Sequence, residues 1–127
     1  MEIHPDDILT ALIYLASFDK FIYGSWAWAE FLYGHEKDFP GLRRMFRLRK
    51  KGNRVRSLGS GIETPLDQSY ASLIYSELIS HNGLTERHKP GKKLKSYYEK
   101  YASRRLSQED KSKLQEIAQE LKRKFAV

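Results

Sequence analysis

The sequence predicts a mainly α-helical fold. The expected architecture is a compact bundle of about five to six helices, with or without a small β-wing. Apolar residues recur at helical spacing in several segments, most clearly over residues 8–16, 66–78 and 114–125. Glycine, proline and capping residues punctuate the chain between these segments. With 127 residues and 40% hydrophobic content, the chain is expected to form a single domain, 1–127, around one core.

The first two helices are predicted from their starts and their apolar faces. Proline and two aspartates at positions 5–7 suit the first turn of a helix over residues 6–17, since acidic side chains favour the positive helix end. A second helix is expected over residues 26–33, with Ser25 as its N-cap and Gly34 as its stop.

This second helix carries two tryptophans, Trp26 and Trp28. Side chains two residues apart point in different directions on a helix, so both cannot face one core. One of them is expected at the surface or against a partner, and both are candidate partner-binding residues.

The segment 41–57 carries six arginines, two lysines and no acidic residue. The residues that share one helical face in it are Leu42, Met45, Phe46 and Arg49. A basic helix is therefore expected over residues 42–51, with Gly52 as its stop, and the alternating residues 54–56 are expected to form a short strand.

The cations of this segment are predicted to contact nucleic acid. Guanidinium groups donate paired hydrogen bonds to a phosphate, and a helix with one face on a core would expose a row of them. The alternative is a solvated surface that keeps the chain soluble. The candidate contacts are Arg43, Arg44, Arg47, Lys50, Lys51, Arg54 and Arg56.

The middle of the chain alternates between turns and one well-marked helix. Residues 58–62 are predicted to be a flexible hinge or the tip of a hairpin, because small residues dominate them. A capping motif at residues 64–67 predicts a helix over residues 65–81 that closes at an Asn-Gly pair. Residues 84–93 are expected to form a small β-wing or a loop.

A second basic region covers residues 87–105, which hold eight basic side chains against Glu99. The spacing of its apolar and tyrosine side chains predicts a short aromatic helix over residues 94–101. Tyrosines among lysines can stack on exposed bases. Further candidate nucleic-acid contacts here are Lys92, Lys93 and Lys95.

The last helix is predicted to start after a cap at Ser107 and to carry an apolar stripe as far as Phe125. This stripe either packs on the rest of the domain or pairs with a second copy. A homodimer through residues 107–125 is therefore one expectation, and residues 64–127 form the helical part of the domain.

Charge and composition limit the classes of function. The net charge is +7, yet residues 1–38 hold seven acidic residues and two lysines, so the positive charge lies further along the chain and steers polyanions. The lack of cysteine excludes disulfides, thiolate nucleophiles and cysteine-ligated zinc, and it fits a cytoplasmic location. No secretory signal or membrane span is visible in the sequence, so no membrane partner is expected.

The order of elements over residues 6–57 resembles the front end of a winged helix-turn-helix domain. The segments that carry the resemblance are residues 8–16, 25–33, 42–51 and 54–56. In that family the third helix enters the major groove and the wing touches the backbone. The resemblance implies recognition-helix contacts by Arg43, Arg44, Arg47, Lys50 and Lys51, and wing contacts by Arg54 and Arg56. In the alternative interpretation, residues 64–81 and 94–101 are the later helices of a different helical bundle.

Three functions follow from these patterns. The first is a DNA-binding transcriptional regulator, with structured RNA as a variant ligand. The second is a non-catalytic adaptor whose arginines meet an acidic protein partner, with a tryptophan as anchor. The third is a metal-dependent nuclease built around Glu36, but none of the four histidines forms a close metal-binding pair. The chain is therefore expected not to be an enzyme and to need no cofactor.

Overall fold

The structure is a computed structural model that describes residues 3–58, 64–81 and 87–127. The six α-helices in these ranges are α1 (Pro5–Ala16), α2 (Ser25–Gly34), α3 (Leu42–Met45), α4 (Pro65–Tyr75), α5 (Leu94–Tyr97) and α6 (Gln108–Phe125). The strands are β1 (Phe21–Ile22), β2 (Leu48–Lys51), β3 (Arg54–Ser57), β4 (Ile79–His81) and β5 (Arg87–Pro90). A π-helical turn (Tyr98–Ala102) and a 3₁₀-helical turn (Ser103–Arg105), together called the turn segments, join α5 to α6. The prediction of a mainly helical fold with a small β part is confirmed.

Helix α1 forms the centre of the core. Its residues Ile8, Leu9, Leu12 and Ile13 are fully buried, and the helix contacts α4, α5 and α6. A helix covered on most of its faces must be apolar around most of its circumference, which explains the wide stripe in its sequence.

Helix α6 packs its apolar stripe against α1 of the same chain. The buried members of the stripe are Leu114, Ile117, Ala118, Leu121 and Phe125. Because this stripe is covered within one chain, its buried side chains are not available to pair with a second copy through residues 107–125. No helix in the described part of the chain combines the length and apolar character that crossing a membrane requires.

The predicted N-caps Thr64 and Ser107 are confirmed, and the prediction for Ser25 is wrong. Thr64 and Ser107 each accept a hydrogen bond from the backbone N–H three residues later. Gly24 occupies the cap position of α2, and the Ser25 hydroxyl donates instead to Asp67 Oδ2 at 3.1 Å. Gly34 is the last residue of α2 rather than the stop that follows it.

Helix α4 is shorter than the helix predicted over residues 65–81. Glu77 adopts a left-handed conformation with φ of 63°, which ends the helix and turns the chain into β4. Strands β1, β5 and β4 form an antiparallel sheet in that order, so residues 87–90 are a strand and not a loop. The predictions for residues 59–62 and 82–86 fall outside the described residues.

A buried carboxylate ties the predicted aromatic helix to α1. Asp7 is 1% exposed and accepts hydrogen bonds from Arg105 Nη1 at 3.0 and 3.2 Å and from the Tyr97 hydroxyl at 3.2 Å. Burial and this carboxylate raise the pKa of Tyr97. The paired and hydrogen-bonded carboxylate fixes the turn segments over residues 98–105 on the core.

The substitution Gly91→Ala is expected to lower the free energy of unfolding by about 1–3 kcal/mol, measured by urea denaturation. An added Cβ would lie 2.2 Å from the Glu77 carbonyl oxygen, a backbone atom that cannot move aside without shifting β4. The matched control is Gly34→Ala in α2, where nothing lies within 4 Å, and it should stabilise by about 0.5–1 kcal/mol. Equal stability of the two variants would contradict the close approach at Gly91.

Candidate nucleic-acid interface

The basic segment folds mainly as a β-hairpin, so the helix predicted over residues 42–51 is confirmed only for Leu42–Met45 and is wrong for the rest of that range. Helix α3 ends at Met45, and β2 pairs with β3 in antiparallel register. Gly52, with φ of 63°, occupies the first position of a two-residue turn, where type II′ turns take glycine. The short strand predicted over residues 54–56 is confirmed.

The register of the hairpin sorts its side chains into two faces. Leu48 pairs with Ser57 and Lys50 with Val55 on the inner face, where Leu48, Val55 and Ser57 are buried. On the outer face the facing pairs are Arg49 with Arg56 and Lys51 with Arg54. Residues directly opposite each other in an antiparallel pair lie on the same face, so four cations project together.

We define the basic hairpin surface as eight exposed cations on α3, β2, β3 and the two-residue link between α3 and β2. They are Arg43, Arg44, Arg47, Arg49, Lys50, Lys51, Arg54 and Arg56. Within residues 3–58, 64–81 and 87–127, no acidic side chain forms a salt bridge with any of them. The surface therefore keeps its full positive charge toward solvent.

Arg49 belongs to this surface, although the sequence pattern did not identify it. Helical spacing placed it on the apolar face beside Leu42, whereas strand alternation places it opposite Arg56 on the outer face. A Gly-Asn pair between two short runs is a hairpin signal, and it stands at Gly52 in this sequence. That signal could have assigned Arg49 correctly.

Two aromatic rings hold arginines of the surface without neutralising them. The Arg43 guanidinium carbon lies 3.7 Å from the centroid of the Tyr33 ring, and its Nε donates to the Tyr33 carbonyl oxygen at 3.2 Å. The corresponding carbons of Arg54 and Arg56 lie 5.0 and 5.5 Å from the centroid of the Trp26 ring. Cation–π contacts of this kind orient a guanidinium group and leave its charge available.

The surface is concave between α3 and β2. A shallow depression of about 540 Å³ is lined there by Tyr33, Arg43, Arg44, Arg47, Leu48, Arg49 and Lys50. Five of these seven residues are cationic, so an anion that enters the depression meets guanidinium and ammonium groups from two elements. Such a site suits phosphate groups, which accept several charge-assisted hydrogen bonds at once.

Buried polar contacts fix the hairpin to the rest of the domain. The Ser57 hydroxyl, on a residue that is 4% exposed, donates to the Phe46 carbonyl oxygen and accepts from the Leu66 N–H at 3.1 Å. Strand β3 lies against α2. The two hydrogen bonds of Ser57 therefore join α3, β3 and α4 at one point.

Glu36, on which the nuclease hypothesis depended, is engaged at the start of α3. Its carboxylate oxygens accept hydrogen bonds from the N–H groups of Gly41 at 2.7 Å and Arg43 at 2.8 Å. Among the described residues, no group of three or more histidine, aspartate or glutamate side chains is placed to hold a metal ion. Glu36 thus positions the backbone of α3.

The structure does not bring Lys92, Lys93 and Lys95 together with the basic hairpin surface. Lys93 Nζ lies 2.7 Å and Lys92 Nζ 3.4 Å from the carboxylate of Glu77, whose pKa they lower through hydrogen bonding and charge. Lys95 lies exposed on α5, which packs on α1, whereas the hairpin packs on α2 and α3. Two of these three lysines are already paired with an acid.

The two tryptophans occupy opposite environments, as expected for side chains two residues apart. Trp26 is 58% exposed beside the hairpin. Trp28 is fully buried, its indole Nε1 donates to the Ile22 carbonyl oxygen at 3.0 Å, and its ring packs against Phe125. The assignment of Trp28 as a partner-binding residue is therefore wrong, and Trp26 is the residue at the surface.

A second cluster of titratable groups lies in the interior between α4 and β5. The Tyr23 hydroxyl donates to Asp67 Oδ1 at 2.7 Å, its ring stacks on Tyr70 at 3.6 Å, and the Tyr70 hydroxyl is hydrogen-bonded to His88 Nδ1. Burial raises the pKa of both tyrosines and lowers the pKa of His88. Burial thus favours the uncharged forms of the two tyrosines and the histidine, which suits a structural cluster.

Arg47→Gly is expected to raise the free energy of unfolding by about 0.5–1 kcal/mol. Arg47 adopts a left-handed backbone conformation with φ of 51° between α3 and β2, and glycine adopts it without the steric cost of a Cβ. The matched variant Gly52→Ala places a Cβ at the positive-φ position of the hairpin turn, and should destabilise by about 1 kcal/mol. Urea denaturation measures the free energy of unfolding of both variants. A destabilised Arg47→Gly variant would mean that the arginine side chain supports the fold.

The chain matches no protein-family model, no curated protein and no solved structure at a significant level. Its function is therefore argued from the geometry and chemistry of the site.

Proposed function

We propose that the protein is a non-catalytic nucleic-acid-binding protein that holds the phosphate backbone of DNA on the basic hairpin surface. The observation that supports this most strongly is the two pairs of facing like charges, Arg49 with Arg56 and Lys51 with Arg54. Like charges directly opposite each other destabilise a hairpin, whereas a favourable cross-strand pair stabilises it by about 0.2–1 kcal/mol. A polyanion bound across the outer face replaces this repulsion with attraction.

The composition of the surface fits phosphate. Six of its eight cations are arginines, whose planar groups donate two parallel hydrogen bonds to one phosphate. Helix α3 has one turn, too short for a recognition helix, but a two-stranded ribbon fits the major groove. The hairpin is therefore the element that we propose to lie on the duplex. A role in transcriptional regulation and a cytoplasmic location are parts of the same proposal.

The second candidate function is binding of an acidic protein partner. The exposed Trp26 beside Arg54 and Arg56 favours it, because tryptophan and arginine are frequent in the energetic centres of protein interfaces. The two functions differ in a measurable way. Nucleic-acid binding releases condensed counterions, so the logarithm of the affinity falls linearly with the logarithm of the salt concentration.

The double substitution Arg49→Gln and Lys51→Gln is expected to weaken binding to a mixed-sequence DNA duplex and to reduce its salt slope by about 2 units. The same variant should be more stable than the original chain by about 0.5–1 kcal/mol at low salt, since both facing pairs lose their repulsion. Fluorescence anisotropy at several salt concentrations measures the binding, and urea denaturation measures the stability.

The matched control is Lys100→Gln with Arg104→Gln, which removes the same charge from two exposed residues of the turn segments. It should change the salt slope much less than the hairpin variant does. Equal losses in the two variants would contradict a defined site on the hairpin. Absence of DNA binding by the original chain at low salt, with recovery of one acidic protein in a pull-down, would favour the partner-binding function.

A further inference from the structure

Trp26 is an exposed ring held at a fixed place. It lies in the first turn of α2, whose opposite side is buried through Trp28, Phe31 and Leu32. Burial of those residues sets the rotation of the helix and leaves 58% of Trp26 exposed. An indole that is both positioned and exposed is available for contact with a ligand.

The surroundings of Trp26 combine a flat aromatic surface with two guanidinium groups. Arg54 and Arg56 lie 5.0 and 5.5 Å from the ring centroid, and a small cavity of about 120 Å³ is lined by Trp26, Glu30, Arg54, Val55 and Arg56. This volume is below the roughly 300–1,000 Å³ of pockets for drug-sized ligands. It therefore suits one ring of a larger molecule.

We infer that Trp26 is a stacking platform for an unpaired nucleobase, with the flanking phosphates bound by Arg54 and Arg56. The inference rests on the proposed function and names the form of nucleic acid that this end of the basic hairpin surface takes. Aromatic side chains bind single strands by stacking on successive bases, whereas the bases of a duplex already cover one another's faces. The part of the nucleic acid that Trp26 contacts is thus an unpaired base, either in a single strand or in a duplex that carries one.

Two neighbouring residues support the choice of this ring and this ligand. The Arg43 guanidinium carbon lies 3.7 Å from the Tyr33 ring centroid, whereas those of Arg54 and Arg56 lie 5.0 and 5.5 Å from the Trp26 ring centroid, so the exposed Trp26 offers the freer aromatic face of α2. Glu30 lines the small cavity, and its carboxylate would repel a phosphate there. The same carboxylate can accept a hydrogen bond from the exocyclic amino group of a base, as glutamate does from cytosine.

Trp26→Leu tests the platform with two probes, a mixed-sequence single-stranded DNA and the same strand paired with its complement. Loss of the ring should weaken single-strand binding by about 5- to 100-fold and duplex binding by less than about twofold. Trp26→Phe keeps an aromatic ring and should retain most of the single-strand affinity. Tyr75→Ala removes another exposed ring, 87% exposed at the end of α4, and should change neither affinity.

Tryptophan fluorescence gives a second readout, because it reports contact between a base and the tryptophan ring. Stacking should quench the emission of the original chain when the single strand binds, and Trp26→Leu should lose this quenching, since its remaining Trp28 is buried. Unchanged single-strand affinity in Trp26→Leu, with DNA binding still reduced by Arg49→Gln and Lys51→Gln, would overturn the platform and leave the proposed function standing. Failure of both probes to bind the original chain would overturn the proposed function itself.

Discussion

The basic hairpin surface depends on the burial of three side chains that share the inner face of the hairpin. Leu48, Val55 and Ser57 are 5%, 6% and 4% exposed, and all three lie on the inner face of the hairpin. Because strand side chains alternate, burying these residues fixes the register and turns Arg49 and its three outer-face neighbours toward solvent. A shift of the strand register by one residue would turn charged side chains toward the core. The apolar contacts therefore decide which face of the hairpin carries the positive charge.

Several features of this region oppose stability at the same place. Cations face each other across the strands, Arg47 adopts a left-handed conformation, and the Trp26 ring stays exposed. Each is unfavourable by itself, while buried contacts such as those of Ser57 keep the region folded. Departures from local rules that gather on one surface are typical of functional sites, and here they surround one row of positive charge.

Much of the helical fold could be predicted from the sequence, and the site could be predicted only in part. The caps at Thr64 and Ser107 mark helix starts by local hydrogen bonds, which need no knowledge of the fold. The helical spacing that starts in α3 continues through the residues of β2. The same residues therefore fit both a helical and a strand periodicity, and packing against α2 decides which structure forms. Reading Gly52 as a helix stop placed Arg49 on the wrong face, although the other seven cations were identified.

The most direct test of a defined nucleic-acid site on the hairpin is an amide NMR titration of the isotope-labelled chain with mixed-sequence DNA at low salt. The structure predicts that the largest shifts fall on α3, β2 and β3, with smaller ones on the first turn of α2. Shifts concentrated on residues 94–105, or the absence of shifts at saturating DNA, would contradict it.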